Sequence, residues 1–141
     1  MDFIIFGNGA KVSNSSISEN ILVIDDLSKV ETFIRVGDDA EIVRVNIDGN
    51  EIHTPESYAL KIKSQRDKLF AELSECQDAI ESIQNDIAKN EIKRALAAAA
   101  AQDLTRDGEW SFRRIISVVA TTSKEVGVAV VSGVIGKYLG Y

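Results

Sequence analysis

From Glu56 to Asp107 the chain contains neither glycine nor proline, and this stretch limits the possible folds more than any other feature. The only proline, Pro55, precedes it, and Gly108 follows it. Thr54-Pro55-Glu56 reads as a helix start. Threonine can cap the first backbone N–H groups, proline fits the first helical position, and glutamate suits the positive end of the helix dipole. A continuous helix over 55–102 would be about 70 Å long at 1.5 Å per residue. That is roughly twice the width of a compact domain of this size, so the helix must project or break.

The apolar spacing predicts projection. Leu69, Leu73, Cys76, Ile80, Ile83 and Ile87 alternate steps of four and three, and Ile62 extends the series backwards. This is a heptad seam. Glu72, Glu75, Asp78, Glu81 and Asp86 keep the outside wet, while Arg66 and Asn90 fall on the seam and weaken its ends. A seam of this kind packs on the chain's own C-terminal helix or on a second copy, and the expected role of these residues is an oligomer seam. The alanine-rich segment ALAAAAAQ, Ala95 to Gln102, is strongly helix-forming and slim enough for another helix to cross closely. LTRDGEW then supplies a turn, with Gly108 breaking the helix and Asp107 as the cap of a last helix.

A last helix is expected over 109–140. Phe112, Ile116, Val119, Val126 and Val130 continue a seam, with Ser123 filling its gap. From Val126 to Gly136 there is no charge. An apolar stretch this short does not reach the ~20 residues that span a bilayer, and Lys124-Glu125 blocks its extension. Ala129 and Gly133 are four apart, as are Ser132, Gly136 and Gly140. Small residues at this spacing let helices meet closely, so they are assigned to tail packing or lipid contact. VGVAVV, rich in valine, also admits a strand.

Before Thr54 the composition changes to Val, Ile, Asn, Asp and Gly. Val30, Thr32, Ile34 and Val36 share one strand face, as do Val43, Val45 and Ile47. Gly7-Asn8-Gly9, Gly37-Asp38-Asp39 and Asp48-Gly49 suit tight turns. Strands are expected near 2–6, 10–17, 20–25, 30–36, 40–47 and 50–53, the last three as a meander, with a β-solenoid as the minor alternative. The expected fold class is α+β: a small antiparallel β-rich head over 1–53, a long heptad helix over 54–103 and a C-terminal apolar helix over 109–140.

The formal net charge of −6 argues against a binder of nucleic acid, whose affinity comes from Lys and Arg on phosphates. A lone cysteine, Cys76, makes no internal disulfide and reads as a core thiol. The opening MDFIIFGNGAKV lacks the basic region of a secretory signal, which points to the cytoplasm, with the tail adding the option of a peripheral membrane location.

His53 beside Glu51 could support acid–base work, but a residue next to a helix start is ordinarily structural. Asp25-Asp26, Asp38-Asp39 and Asp48 to Glu51 lack calcium-loop spacing, and GNG lacks the rest of a dinucleotide fingerprint. Lys61, Lys63, Arg66 and Lys68 form a basic group. Arg106, Arg113 and Arg114 flank Trp110, an arrangement suited to an anion or a lipid headgroup. No catalytic residue, cofactor or metal is expected. The sequence favours a non-enzymatic homo-oligomeric interaction module whose partners are itself and another protein. Two alternatives stand beside it: a membrane-active effector that uses its tail on lipid, and a protein that binds a small anion such as a nucleotide.

Overall fold

The computed structural model describes all 141 residues. The chain folds as two units, Met1–Ser57 and Tyr58–Tyr141. The first contains β1 (Asp2–Phe6), β2 (Lys11–Ser18), β3 (Ile21–Val23), β4 (Thr32–Val36), β5 (Glu41–Asp48) and β6 (Glu51–His53), with a 3-10 turn at Leu27–Lys29. Helices follow: α1 (Pro55–Ser74), α2 (Gln77–Glu81), α3 (Asp86–Ala100), α4 (Arg106–Glu125) and α5 (Ala129–Leu139). The mixed α and β content agrees with the sequence reading, and the six strands fall close to their expected positions.

Their pairing does not. The expected antiparallel meander is replaced by three parallel pairs, β1 with β4, β2 with β5 and β3 with β6. Asp2 lies opposite Thr32, Lys11 opposite Glu41 and Leu22 opposite Ile52, so each paired residue meets the one 30 positions on. The unit is two rungs of a parallel β-solenoid. Its corners repeat with the same period. Left-handed backbone occurs at Gly9 and Asp39, at Asn14 and Arg44, and at Glu19 and Gly49.

The corner at Arg44, with φ of 54°, also corrects the predicted strand face. Strict alternation would place Val43 with Val45 and Ile47. The left-handed residue shifts the alternation by one, so Ile42, Val45 and Ile47 are partly buried and Val43 is 54% exposed. Side chains stack between rungs. Phe3 and Phe33 have ring centroids 4.9 Å apart. Asn50 Oδ1 accepts from the Asn20 backbone N–H at 3.1 Å and from its side-chain amide at 2.9 Å, and Asn50 Nδ2 donates to the Ile17 carbonyl at 2.8 Å. Asp2 accepts from the Thr32 hydroxyl and from Arg35, and these partners hold its carboxyl below the usual range.

The single long helix is also corrected. It ends at Ser74, resumes briefly as α2 and starts again at Asp86, where the Asn85 side chain caps α3 by accepting from Ala88 N–H at 3.1 Å. The expected cap at Thr54 is present, its hydroxyl accepting from Ser57 N–H at 3.2 Å. The next helix begins earlier than expected. Thr105, not Asp107, is its cap, and accepts from Gly108 N–H at 3.0 Å. Gly108 therefore does not break a helix. It lies in the first turn of α4, where a Cβ would collide with the Asp103 carbonyl. The true break is at Gly127, with φ of 81°, which divides the expected C-terminal helix into α4 and α5.

The helical core joins Leu69, Leu73, Cys76, Ile80 and Ile83 to Ile92, Ala99, Phe112, Ile116, Val119, Val131 and Ile135. Ala99 is fully buried, consistent with close approach at the alanine run. Fully buried Ser123 has no hydrogen-bond partner for its hydroxyl.

The two rungs make different demands at equivalent positions. A Cβ at Gly37 would lie 2.5 Å from the Asn8 backbone nitrogen, whereas one at Gly7 meets nothing within 4 Å. Gly37→Ala should cost about 1–3 kcal/mol and Gly7→Ala under about 0.5 kcal/mol. Urea denaturation of both variants checks this; equal costs would contradict the register.

Candidate functional site

Two features stand out: the edges of the solenoid and a buried polar cluster in the helical unit. Each strand is hydrogen-bonded to only one other strand. Along β4 the apolar columns end in the open: Ile34 is 40% and Val36 54% exposed. Their counterparts on the first rung are better covered, and Phe6, opposite Val36, is only 6% exposed. Phe33 is exposed too.

The polar cluster centres on Arg66, only 5% exposed. Its Nε and Nη2 donate to Glu109 Oε2 at 3.2 and 3.0 Å. Nη1 donates to the Gln102 carbonyl at 2.7 Å and Nη2 to the Asp103 carbonyl at 3.0 Å. The guanidinium carbon sits 4.3 Å from the centre of the Phe112 ring. Glu109 is also buried, and its Oε1 accepts from the Tyr138 hydroxyl at 2.7 Å. Charge and helix ends agree. Arg66 meets carbonyls just past the end of α3, and Glu109 lies in the first turn of α4. Burial raises the Tyr138 pKa, and its bond to anionic Glu109 raises it further. In the sequence Arg66 stands out only as a weak point of the seam, and Glu109 carries no signal of its own. The signal available was an arginine at an apolar position that needed a carboxylate elsewhere.

The heptad residues Ile62, Leu69, Leu73, Cys76, Ile80 and Ile83 are all buried within this chain. Ile87 is not: it is 81% exposed, because the turn before α3 takes it off the seam. The break at Gly127 acts likewise on the tail. Val130 is exposed, and Val131 and Ile135 take the core positions. The small residues lie away from the core. Ala129, Gly133 and Gly140 are exposed, and Ser132 and Gly136 are partly buried. A Cβ at Gly133 or Gly140 would meet nothing within 4 Å.

Of the expected anion-binding residues, Arg113 is engaged locally. It donates to the Leu139 carbonyl at 3.0 Å and lies 4.0 Å from Glu109 Oε1. It also lines a cavity of about 310 Å³ with Lys68, Glu72, Lys137 and Tyr138. Lys137 and Glu72 there are 3.6 Å apart. Arg106 lies 5.8 Å from the Tyr58 ring centre, while Trp110 and Arg114 are exposed. His53 faces Ser57 Oγ from Nδ1 at 3.0 Å and Glu51 Oε1 from Nε2 at 3.2 Å. Ser57 Oγ also accepts from Thr54 N–H at 3.0 Å, so the trio forms part of the turn into α1. No group of three or more His, Cys, Asp and Glu side chains is placed to hold a metal ion. No helix is long and apolar enough to cross a membrane. Comparison with protein-family models, with curated proteins and with solved structures finds no match.

Arg66→Met should cost about 3–5 kcal/mol in urea unfolding, because it strands buried Glu109 without its cation. A loss below about 1 kcal/mol would contradict the clasp.

Tyr138 gives a second test. Its folded pKa is raised, so its contribution is complete below the unfolded value of about 10 and is lost as pH rises above it toward the folded value. Wild-type stability should therefore fall above pH ~10 more steeply than that of Tyr138→Phe. Thermal melts across the alkaline range check the difference.

Proposed function

We propose that this chain is a non-enzymatic assembly and protein-interaction module that works in the cytoplasm as a homo-oligomer and binds through its β unit. The observation that carries this reading is the unfinished solenoid. Strands bonded on one side only, with Phe33, Ile34, Val36 and Val43 exposed along β4 and β5, form an edge that recruits further strands through backbone hydrogen bonds. Stacked repeats also need a terminal cap to shield such a face. The heptad residues, already buried within the chain, leave oligomer contact to the β unit and to exposed groups such as Ile87.

A second reading, contact with lipid at the membrane surface, draws on α5. Its first eight residues carry no charge, and its small-residue side is largely uncovered.

Light scattering after size exclusion, without detergent, tests the first reading. A species heavier than one 15.4 kDa chain is expected at micromolar concentration. A single-chain mass at every concentration would overturn it, and a species that stays in solution only with detergent would put lipid in its place.

A further inference from the structure

Both rungs follow one course. Their strands match in register, and their left-handed corners recur at a 30-residue spacing. A segment that lies along β4 and β5 without disturbing them must bend at the same places. The first rung of another copy does so. We propose that the heads stack head to tail, the β1 and β2 edge of one copy adding in parallel register to the β4 and β5 edge of the next. This stacking rests on the assembly reading above and names its surface.

The side chains support the match. A first rung seated on β4 and β5 would place Ile4 over Ile34, Phe6 over Val36, Val12 over Ile42 and Ile17 over Ile47. Each apolar column, now open at Ile34 and Val36, would continue. Lys11 of the incoming copy would stand over Glu41 and Asn14 over Arg44, and no charge would face a like charge at any paired position of β1, β2, β4 and β5. The asparagines extend in the same way. Asn50 donates to the Ile17 carbonyl and accepts from the Asn20 backbone N–H. An incoming Asn20 would do the same for Ile47 and Asn50.

A twofold contact between two second rungs fits less well. Antiparallel pairing of β5 with itself, with Ile42 facing Ile47, places Glu41 opposite Asp48, and opposed like charges destabilise a strand pair. A head-to-tail contact uses different surfaces on its two sides, so unless it closes into a ring it continues without limit.

Cysteine pairing tests the arrangement in the full chain, with Cys76→Ser removing the native thiol. Lys11→Cys and Glu41→Cys are made in separate proteins; both positions are exposed, so folding should be retained. Adjacent strands lie about 4.8 Å apart, within disulfide reach. Mild oxidation of the mixture should give a mixed disulfide dimer. Neither protein alone should cross-link, because like positions in a stack are two strand spacings apart, about 9.6 Å. Val36→Glu should lower the assembled mass to that of one chain. A disulfide between Glu41→Cys and Asp48→Cys proteins would overturn head-to-tail order in favour of the twofold pair. An oligomer that forms no mixed disulfide and ignores Val36→Glu would overturn the stacking and leave the assembly reading standing. A wild-type chain that is always monomeric would overturn both.

Discussion

The β unit depends on parallel strand pairing that sets each paired residue opposite the one 30 positions on. Strands of three to eight residues cannot form a stable layer alone. Two rungs supply one full set of parallel pairs. Everything else in the unit serves that register: the left-handed corners, the Phe3–Phe33 contact, the Asn20–Asn50 ladder and the close approach of Gly37 to Asn8. It also leaves the unit incomplete, since two rungs satisfy only one side of each strand.

The helical unit meets a different constraint. Its breaks after Ala100 and before Arg106 bring orphan carbonyls and a positive helix end close together. Arg66 and Glu109 neutralise both, and Tyr138 completes the set from α5. A buried ion pair is weak evidence for net stability, because desolvating both charges offsets their attraction, but breaking it leaves an uncompensated buried charge. Here one guanidinium fixes α1 to the α3–α4 connection and to the start of α4. The aromatic chain Phe70, Phe112 and Tyr138 packs beside it, with ring centroids 6.0 and 5.4 Å apart.

Local signals in the sequence located the elements, while long-range pairing stayed hidden. The six strands and the Thr54 helix start were legible because alternation and capping act over a few residues. The parallel register was not, because Gly and Asp turns look alike in a hairpin and at a solenoid corner. The clue was the recurrence of Phe3 at Phe33, Ile4 at Ile34, Ala10 at Ala40, Ile17 at Ile47 and Asn20 at Asn50. The heptad reading found real core positions from Ile62 to Ile83. The spacing alone does not tell a partner helix from the chain's own, because nothing local marks the helix end at Ser74, where neither glycine nor proline stands. Glu109 is not legible as a buried group, because a carboxylate near a helix start is ordinarily solvated and only the position of Arg66 shows that this one is not.

The repeating corners also constrain how such a chain can change length. A one-residue insertion in β2 or β5 would move a corner out of line with its counterpart and turn the following side chains to the opposite face. Inserting a whole 30-residue rung would keep every corner in its column and lengthen the stack by about 4.8 Å. Length variation in this unit is therefore quantised: whole rungs can be gained or lost, while single residues are accommodated only outside the strands and corners.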